Sequence, residues 1–361
     1  MRAAELSVAA RSLPPALNTA MRSPHLILCS AAAAIALGTI ATAQSPQPQP
    51  APQPQTLQPQ TLQPQSRVNL RGDVAYPQEL SGLAFWRDRL VACPDEGAEL
   101  NVFRRAGADY ELLRKPSLLD DASEEIDMEA AASDGEYLYI AGSHSMRRKK
   151  VDEDSTYEKN RKRLARVTPH DASYSLFRVR LDDHGDIASS ESITLWDILD
   201  ADEILNLYTY VPSKENGIDV EGLAVKGDRL FVGFRGPVLR GNFVPVLSLE
   251  FERPDDYELA FVPLAGRGVR DLLAVEEGLL ILAGPIGDGD GSYKLYQWNG
   301  KDCVPGEGGP GGVIAEVGEL AVEPSVKPEG ITLLEETEGH WQLLIVSDGD
   351  PVASTWIVPK P

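Results

Sequence analysis

Apolar and polar residues follow a hairpin pattern that recurs along the chain. Its clearest copy lies in residues 219–235: one apolar strand begins at Val220, a polar turn occupies residues 226–228, and a second apolar strand spans residues 230–234. Two apolar runs separated by a short polar turn are typical of a β-hairpin. The pattern therefore predicts a β-hairpin here.

Four further copies of this hairpin pattern align with the first. In four of the five copies, the second strand resumes nine residues after the first residue of the motif. Self-similar units of roughly forty to fifty residues are the sequence signature of propeller blades. The motifs begin at Ser81, Glu129, Glu221, Asp271 and Glu329.

The spacing of the hairpins also predicts the fold class. Each unit has room for four strands, as a propeller blade requires. We therefore expect an all-β fold, a single β-propeller over residues 66–361 with five blades. Six blades are the alternative, but the sixth would have to lie in residues 183–218. Residues 196–207 there have the spacing of a short amphipathic helix.

The N-terminal part of the chain differs in composition from the rest. Residues 26–37 form an apolar run too short to cross a membrane comfortably, and residues 41–43 are a small-x-small sequence. Residues 1–43 are thus predicted to be a signal peptide, starting at Met1 or Met21, with a retained anchor as the alternative. Residues 44–65 are Pro/Gln repeats that cannot bury a core, so we expect a disordered linker.

Charge narrows the range of partners. The chain has a formal net charge of −21, which should repel nucleic acid and anionic lipid. The predicted signal peptide implies an extracytoplasmic protein, either periplasmic or secreted. No stable membrane span is expected after cleavage. One segment, the basic island of residues 147–166, has the opposite charge. Its cationic residues are Arg147, Arg148, Lys149, Lys150, Lys159, Arg161, Lys162, Arg163 and Arg166.

The hairpin topology predicts a candidate site. A hairpin reverses the chain, so the start of its first strand and the end of its second strand lie at the same end of the sheet. We therefore expect one channel mouth lined by four acidic motif residues, with two arginines and one histidine around them. These residues are Glu129, Glu221, Asp271 and Glu329, then Arg235, Arg270 and His144.

The arginines of this mouth suggest a small anionic ligand, because guanidinium groups bind carboxylate or phosphate with bidentate geometry. An envelope protein is the other expected partner. The basic island follows His144 in the sequence and would emerge on the same face, where it could steer an anion inward. In the alternative, the arginines only neutralise the glutamates and the island is a disordered, solvated loop.

Acidic residues after two of the second strands suggest a metal. Asp288, Asp290, Asp348 and Asp350 resemble fragments of calcium loops, and their oxygen ligands suit Ca²⁺ or Mg²⁺. A metal would favour a phosphoesterase-like hydrolase, and a carboxylate pair could serve as general acid and base. Neither loop has the complete ligand spacing, and no complete catalytic constellation is visible. The sequence therefore favours a binding module and leaves enzymatic activity open.

Two cysteines remain after cleavage of the predicted signal peptide. Cys93 ends the second strand of the first unit, and Cys303 follows the fourth unit. An oxidising compartment permits a disulfide between them. Two buried free thiols are the alternative.

Several motifs taken together resemble a known family. They are Asp127-Met-Glu-Ala with Gly142-Ser-His-Ser, Asp219-Val-Glu-Gly with residues 233–241, residues 266–271 with 282–285, and Pro328-Glu-Gly. Over about residues 75–350 the chain resembles a bacterial domain family of unknown function, number three-six-one-six. More distantly, the blade starts are similar to those of phytase-like esterase propellers. The family resemblance implies a propeller without an assigned activity. The chain departs from the motif at Ala130, where a glycine is expected, and in its basic island.

Overall fold

The structure of the protein, a computed structural model, describes residues 60–120, 124–287, 289 and 291–361. Within these ranges the chain forms 23 β-strands, two short α-helices and three 3-10 helices. The predicted all-β class is therefore confirmed. No helix among the described residues is long and apolar enough to cross a membrane.

The first strands lead into two units of four strands. β1 (Gln60–Leu62) and β2 (Pro64–Arg71) precede unit 1, which consists of β3 (Leu80–Trp86), β4 (Arg89–Pro94), β5 (Asn101–Ala106) and β6 (Asp109–Arg114). Unit 2 begins with β7 (Met128–Ser133) and β8 (Leu138–Gly142). An excursion then contains β9 (Met146–Arg147), α1 (Tyr157–Ala165), β10 (Thr168–Pro169) and the 3-10 helix Asp171–Ser173. Unit 2 ends with β11 (Leu176–Leu181) and β12 (Ile187–Ile193).

A helical excursion separates unit 2 from the last three units. It contains α2 (Trp196–Ala201) and the 3-10 helices Leu205–Leu207 and Ser213–Glu215. Unit 3 is β13 (Asp219–Lys226), β14 (Arg229–Gly236), β15 (Phe243–Glu250) and β16 (Arg253–Pro263). Unit 4 is β17 (Gly268–Val275), β18 (Gly278–Gly284), β19 (Tyr293–Trp298) and β20 (Ile314–Leu320). Unit 5 is β21 (Lys327–Glu336), β22 (His340–Asp348) and β23 (Asp350–Pro359).

The two N-terminal strands complete units that lie later in the chain. β2 pairs antiparallel with β23, which makes it the fourth strand of unit 5, and it also pairs parallel with β6 of unit 1. β1 pairs parallel with β20 of unit 4, and Leu62 is only 4% exposed. Residues 60–65, predicted to be disordered linker, therefore belong to the folded part.

The first strands of the five units surround a common axis. β3 contacts β7, β7 contacts β13, β13 contacts β17, β17 contacts β21, and β21 contacts β3. All five line one narrow cavity of about 170 Å³, whose walls are mostly apolar. These five are called the inner strands below.

The inner strands approach each other too closely for side chains at two positions. A Cβ atom on Gly82 would lie 2.8 Å from the carbonyl carbon of Ala130, and one on Gly330 would lie 2.7 Å from the carbonyl oxygen of Ser81. Only glycine tolerates such an approach. This accounts for the glycine that follows the motif residue in these two hairpins.

The hydrophobic core consists of layers between neighbouring units. In one layer Val91 of unit 1 packs with Ile140 of unit 2, and in another Leu282 of unit 4 packs with Trp341 of unit 5. Three further clusters lie between units 2 and 3, units 3 and 4, and units 5 and 1. Because the two faces of a strand alternate, each unit buries one face against each neighbour.

The structure answers the question that the sequence left open about the two cysteines. Cys93 is buried, Cys303 is half-buried, and both are free thiols. They lie in different core layers, so the permitted disulfide does not form.

The helix expected over residues 196–207 is present as α2 and a following 3-10 helix. Its buried Leu199 packs against unit 3.

Candidate functional site

One residue near the start of each inner strand is left out of the β-ladder. In unit 3, Val220 pairs with Phe234 and Gly222 pairs with Gly233, so Glu221 forms a β-bulge. The other units skip one residue in the same way. The five bulge residues are Ser81, Glu129, Glu221, Arg270 and Glu329. Four of them line a single cavity at this end of the inner strands, where the sequence predicted the channel mouth.

The bulge of unit 4 differs by one residue from the sequence alignment. Val275 pairs with Gly278, so Arg270 and not Asp271 takes the bulge position. Asp271 is fully buried and accepts hydrogen bonds from the backbone N–H groups of Leu272 and Ile331, both at 2.7 Å. Asp271 was expected at the mouth, but the structure places it in the wall between inner strands.

The arginines of the mouth are held in a buried ion-pair network. Arg235 donates to Asp219 and also, from Nη1, to Glu221 Oε1 at 2.6 Å. Arg270 donates to Glu329 and, from Nη1, to Glu221 Oε2 at 2.9 Å. All five side chains are at most 9% exposed. Glu221 therefore bridges both arginines, and each terminal guanidinium nitrogen has a carboxylate partner.

Glu129 is the exception among the acidic bulge residues. It is partly exposed in the cavity, and no cation of the described residues lies within ion-pair distance of its carboxyl group. Burial, followed by the negative charges of Glu221 and Asp127, raises its pKa well above the usual range. Among the acidic bulge residues, Glu129 is therefore the one that the ion-pair network leaves unpaired.

Two cavities meet at Glu129. The channel cavity, of about 680 Å³, is bounded by the ion-pair network and by residues 319–329. The island cavity, of about 750 Å³, is bounded by the basic island and by an acidic wall that includes Glu125 and Asp127. Four residues line both cavities: Asp95, Glu129, Lys214 and Arg235.

Unsatisfied polar atoms concentrate around these cavities. Among the described residues, four buried side-chain atoms lack a hydrogen-bond partner, and all four belong to residues that line one or both cavities. They are Asp95 Oδ1, His170 Nδ1, Arg235 Nε and Arg270 Nε. Buried polar atoms are nearly always paired in folded proteins, so this cluster calls for a partner from outside the chain.

Asp95 resembles Glu129 in its electrostatics. Burial and the nearby charge of Glu329 raise the pKa of Asp95 to about 7. The carboxyls of Asp127 and Glu79 act in the same direction. Both carboxyl groups shared by the two cavities therefore hold a proton more readily than ordinary carboxyls.

The basic island lies at the mouth, on the side where the sequence placed it. Arg147 Nη2 is 3.1 Å from Glu125 Oε1 and 2.5 Å from Asp127 Oδ1, which ties the island to the acidic wall. Arg148 Nε is 2.5 Å from Glu215 Oε1. The island also contains helix α1, which has no buried residue. It is therefore structured at its base and solvated along its helix.

His144 does not reach the mouth. It is fully buried and lines neither cavity; its Nδ1 lies 2.8 Å from the carbonyl oxygen of Gly142, and its Nε2 accepts the N–H of Leu195 at 3.2 Å. Nδ1 must then carry the proton and donate it. Burial lowers the pKa of His144 to about 4, so the ring is neutral. It joins unit 2 to the α2 excursion and takes no part in the mouth.

The structure describes only two of the four aspartates that were proposed as metal ligands. Asp288 and Asp290 lie outside the described residues. Asp348 is paired with Lys327 at 2.5 Å, and Asp350 is paired with Arg67 at 2.7 Å. In the described part of the chain, no three His, Cys, Asp or Glu side chains are grouped so that they could hold a metal ion.

Sequence reasoning missed three residues of the mouth: Asp127, Asp219 and Lys214. A signal for the two aspartates was available, because Asp127-x-Glu129 and Asp219-x-Glu221 share one spacing in neighbouring units. Residues two apart on a strand lie on the same face. Lys214 lies in a 3-10 helix of the excursion, and no repeat marks it.

The family model described as "Protein of unknown function (DUF3616)" matches residues 79–193 and 187–354. The chain belongs to this family, which confirms the resemblance found in its motifs. Among curated proteins, no match is found.

Solved structures give weaker similarities. Glutaminyl cyclase of Myxococcus xanthus is 12% identical with a TM-score of 0.44, and the match covers 84% of this chain and 100% of that one. Sqt1 of Saccharomyces cerevisiae is 10% identical with a TM-score of 0.37, covering 83% of this chain and 100% of that one. Similarity at these TM-scores carries no conclusion about activity.

Proposed function

We propose that the protein is a five-bladed β-propeller that binds a small organic cation at the mouth of its channel, through the carboxyl group of Glu129. The five units would be its blades, and strand β2 would close the ring by completing the last blade. The observation that carries the binding site is the unpaired Glu129 carboxyl beside an ion-pair network in which every terminal guanidinium nitrogen has a carboxylate partner.

The ion pairs that the two arginines already form favour a cationic ligand over the anion expected from the sequence. A bidentate anion would need two free N–H groups on one guanidinium, but the terminal nitrogens of Arg235 and Arg270 are occupied by carboxylates, which leaves only the Nε of each without a partner within the described residues. Releasing those carboxylates would leave buried charges unpaired, at a cost of about 3–5 kcal/mol. A cation at Glu129 requires no such rearrangement.

The charges around Glu129 support the same conclusion. The carboxyls of Glu221, Asp127, Asp219 and Glu329 all act on it. Among the described residues, only Arg147, Arg235 and Arg270 are paired with these four. The immediate surroundings are therefore net negative even when Glu129 is protonated, and a cation would be attracted into them.

Calorimetric titration with pentylammonium chloride tests the proposal. We expect saturable binding of one equivalent to the wild-type protein and none to Glu129→Gln, which removes the ionisable carboxyl and keeps the shape. Glu258→Gln, on the exposed outer strand β16, makes the same change of side chain away from the cavities and should bind as wild type does. Binding that is equal in all three proteins, or absent from wild type, would overturn the proposal.

A metal-dependent hydrolase remains the alternative predicted from the sequence. Its support is the pair of carboxyls with raised pKa, Asp95 and Glu129, since such groups are suited to acid–base chemistry. Hydrolysis of p-nitrophenyl phosphate, measured with and without added Ca²⁺ or Mg²⁺, tests this alternative. Metal-dependent turnover would favour it over a binding module.

Export also remains a prediction, because residues 1–43 lie outside the described residues. We propose cleavage after Ala43 and an extracytoplasmic location. The intact mass of the protein recovered from the periplasm or medium decides this. A mature chain that still begins at Met1 or Met21 would contradict it.

A further inference from the structure

The rim of the site carries positive charge without a matching anion. Lys214 is exposed, lines both cavities, and has no ion-pair partner among the described residues. Lys149 is exposed on the wall of the island cavity and, within the same described ranges, is likewise without an ion-pair partner. The floor at Glu129 therefore favours a cation, while the rim favours an anion.

Apolar surface lies on the wall of the same cavity. Val151 is 53% exposed and Leu164 is 48% exposed, and both line the island cavity together with Pro169 and Pro212. Covering such side chains stabilises a complex by roughly 25 cal/mol per Å² of apolar surface. A hydrocarbon stem could therefore lie along this wall.

The buried arginines give independent evidence that this region takes a ligand. Arg235 and Arg270 are 5% and 4% exposed, both line the channel cavity, and the Nε of each lacks an acceptor within the described part of the chain. Native structures leave few buried donors unpaired, and those that remain are often functional. The carboxylates of this cavity therefore lie beside buried donors that need an acceptor, which a solvated group of surface carboxylates would not have.

Building on the proposed function, we infer that the ligand is a zwitterion of the ω-amino acid class, such as a free ω-amino acid or the C-terminal lysine of a peptide, in which one ammonium group and one carboxylate are joined by a hydrocarbon stem. Its ammonium group pairs with Glu129, its methylene stem lies against Val151 and Leu164, and its carboxylate pairs with Lys214 or Lys149. Several ammonium groups on one ligand would be repelled by the same lysines, which disfavours polyamines.

A series of matched probes tests this inference by calorimetry. The probes are ω-amino acids from aminobutanoate to aminooctanoate, the n-alkylammonium ions of equal length, and the corresponding alkanoates. We expect one ω-amino acid length to bind best, roughly tenfold more tightly than its alkylammonium counterpart, as one charge-assisted hydrogen bond would give. Alkanoates should not bind.

Two variants of the rim lysines separate the contribution of the ligand's carboxylate from that of its ammonium group. Lys214→Met and Lys149→Met keep the apolar stem of the side chain and remove its charge. One of them, or both together, should reduce the affinity for the best ω-amino acid to that of the alkylammonium ion. The affinity for the alkylammonium ion itself should not fall. Both lysines are exposed, so the variants should fold, and their thermal melting serves as the control.

The outcomes distinguish this inference from the proposed function. Equal affinity for alkylammonium and ω-amino acid, unaffected by the lysine variants, would overturn the zwitterion and leave the cation site intact. Failure of every ammonium probe to bind, or equal binding to Glu129→Gln, would overturn both. Binding of alkanoates or of Ca²⁺ alone would also overturn both, in favour of an anion or metal site.

Discussion

Glu129 and Glu221 occupy the same bulge position in neighbouring inner hairpins, yet Glu221 is paired with two arginines and Glu129 with none in the described part of the chain. Equivalent backbone geometry therefore supports two different roles. Glu221 holds three units of the fold together, because its partners and their carboxylates lie on β13, β14, β17 and β21. Glu129 has the same access to the mouth and remains available to a ligand.

Conservative substitution of these two residues should have unequal effects on stability. Glu221→Gln removes the charge shared by Arg235 and Arg270, and breaking a buried ion pair costs about 3–5 kcal/mol. Glu129→Gln removes a carboxyl that has no ion-pair partner and should change the free energy of unfolding by less than about 1 kcal/mol, or raise it. Urea unfolding measures both. A loss at Glu129 as large as that at Glu221 would show that Glu129 is structural.

Asp95 should make the protein less stable as pH rises. Its folded-state pKa of about 7 lies above the ordinary value of 3.8 for an aspartate, so the folded state binds the proton more tightly and stability falls as pH rises through this interval. Asp95→Asn should therefore gain stability relative to wild type between pH 5 and pH 8. Allowing for its partial exposure, we expect about 2 kcal/mol. A constant difference between the two proteins over this range would contradict the assigned shift.

Asp271 should be essential for stability although it is not part of the mouth. Its carboxylate accepts N–H groups from Leu272 of β17 and Ile331 of β21, and so joins two inner strands. Asp271→Ala leaves these buried donors unpaired, which should cost about 3 kcal/mol or more. Asp255→Ala, at an exposed position of β16, is the matched control and should change the midpoint of thermal unfolding little. Equal effects would refute the role given to Asp271.

Arg147 should hold the basic island against the mouth. It is the residue of the island that contacts both Glu125 and Asp127. Arg147→Ala should increase hydrogen–deuterium exchange across β9 and β10, since their pairing depends on the position of this segment. Lys159→Ala, on the exposed face of α1, removes the same charge and should leave exchange unchanged. Similar exchange in both variants would show that the ion pairs do not order the island.

The repeated pattern of apolar runs was enough to predict the five hairpins, because hairpins are local and each places its own strands. The register of unit 4 was not predictable in the same way. The nine-residue offset aligned Asp271 with Glu221, whereas the observed pairing of Val275 with Gly278 puts Arg270 at the bulge. A shift of one residue moves a side chain to the other face of a strand.

Features that depend on contacts between distant parts of the chain could not be predicted from the sequence pattern either. Strand β1 lies in a Pro/Gln-rich segment and exists because residues 318–320 pair with it. His144 is buried because the α2 excursion supplies the N–H of Leu195. Likewise, the sequence could show that Glu129 and Glu221 are equivalent, but only the positions of the arginines show which of them is unpaired.

The most direct test of the account is the number of protons released when pentylammonium binds. Burial and neighbouring carboxyls raise the pKa of Glu129, so the free protein keeps this proton to a higher pH than an ordinary carboxyl does, and a bound cation favours the carboxylate. Titration calorimetry over a series of pH values, in buffers of different ionisation enthalpy, should show proton release on binding and an affinity that rises with pH. Glu129→Gln should show neither. Binding without proton release, with an affinity that does not change with pH and persists in Glu129→Gln, would contradict the account.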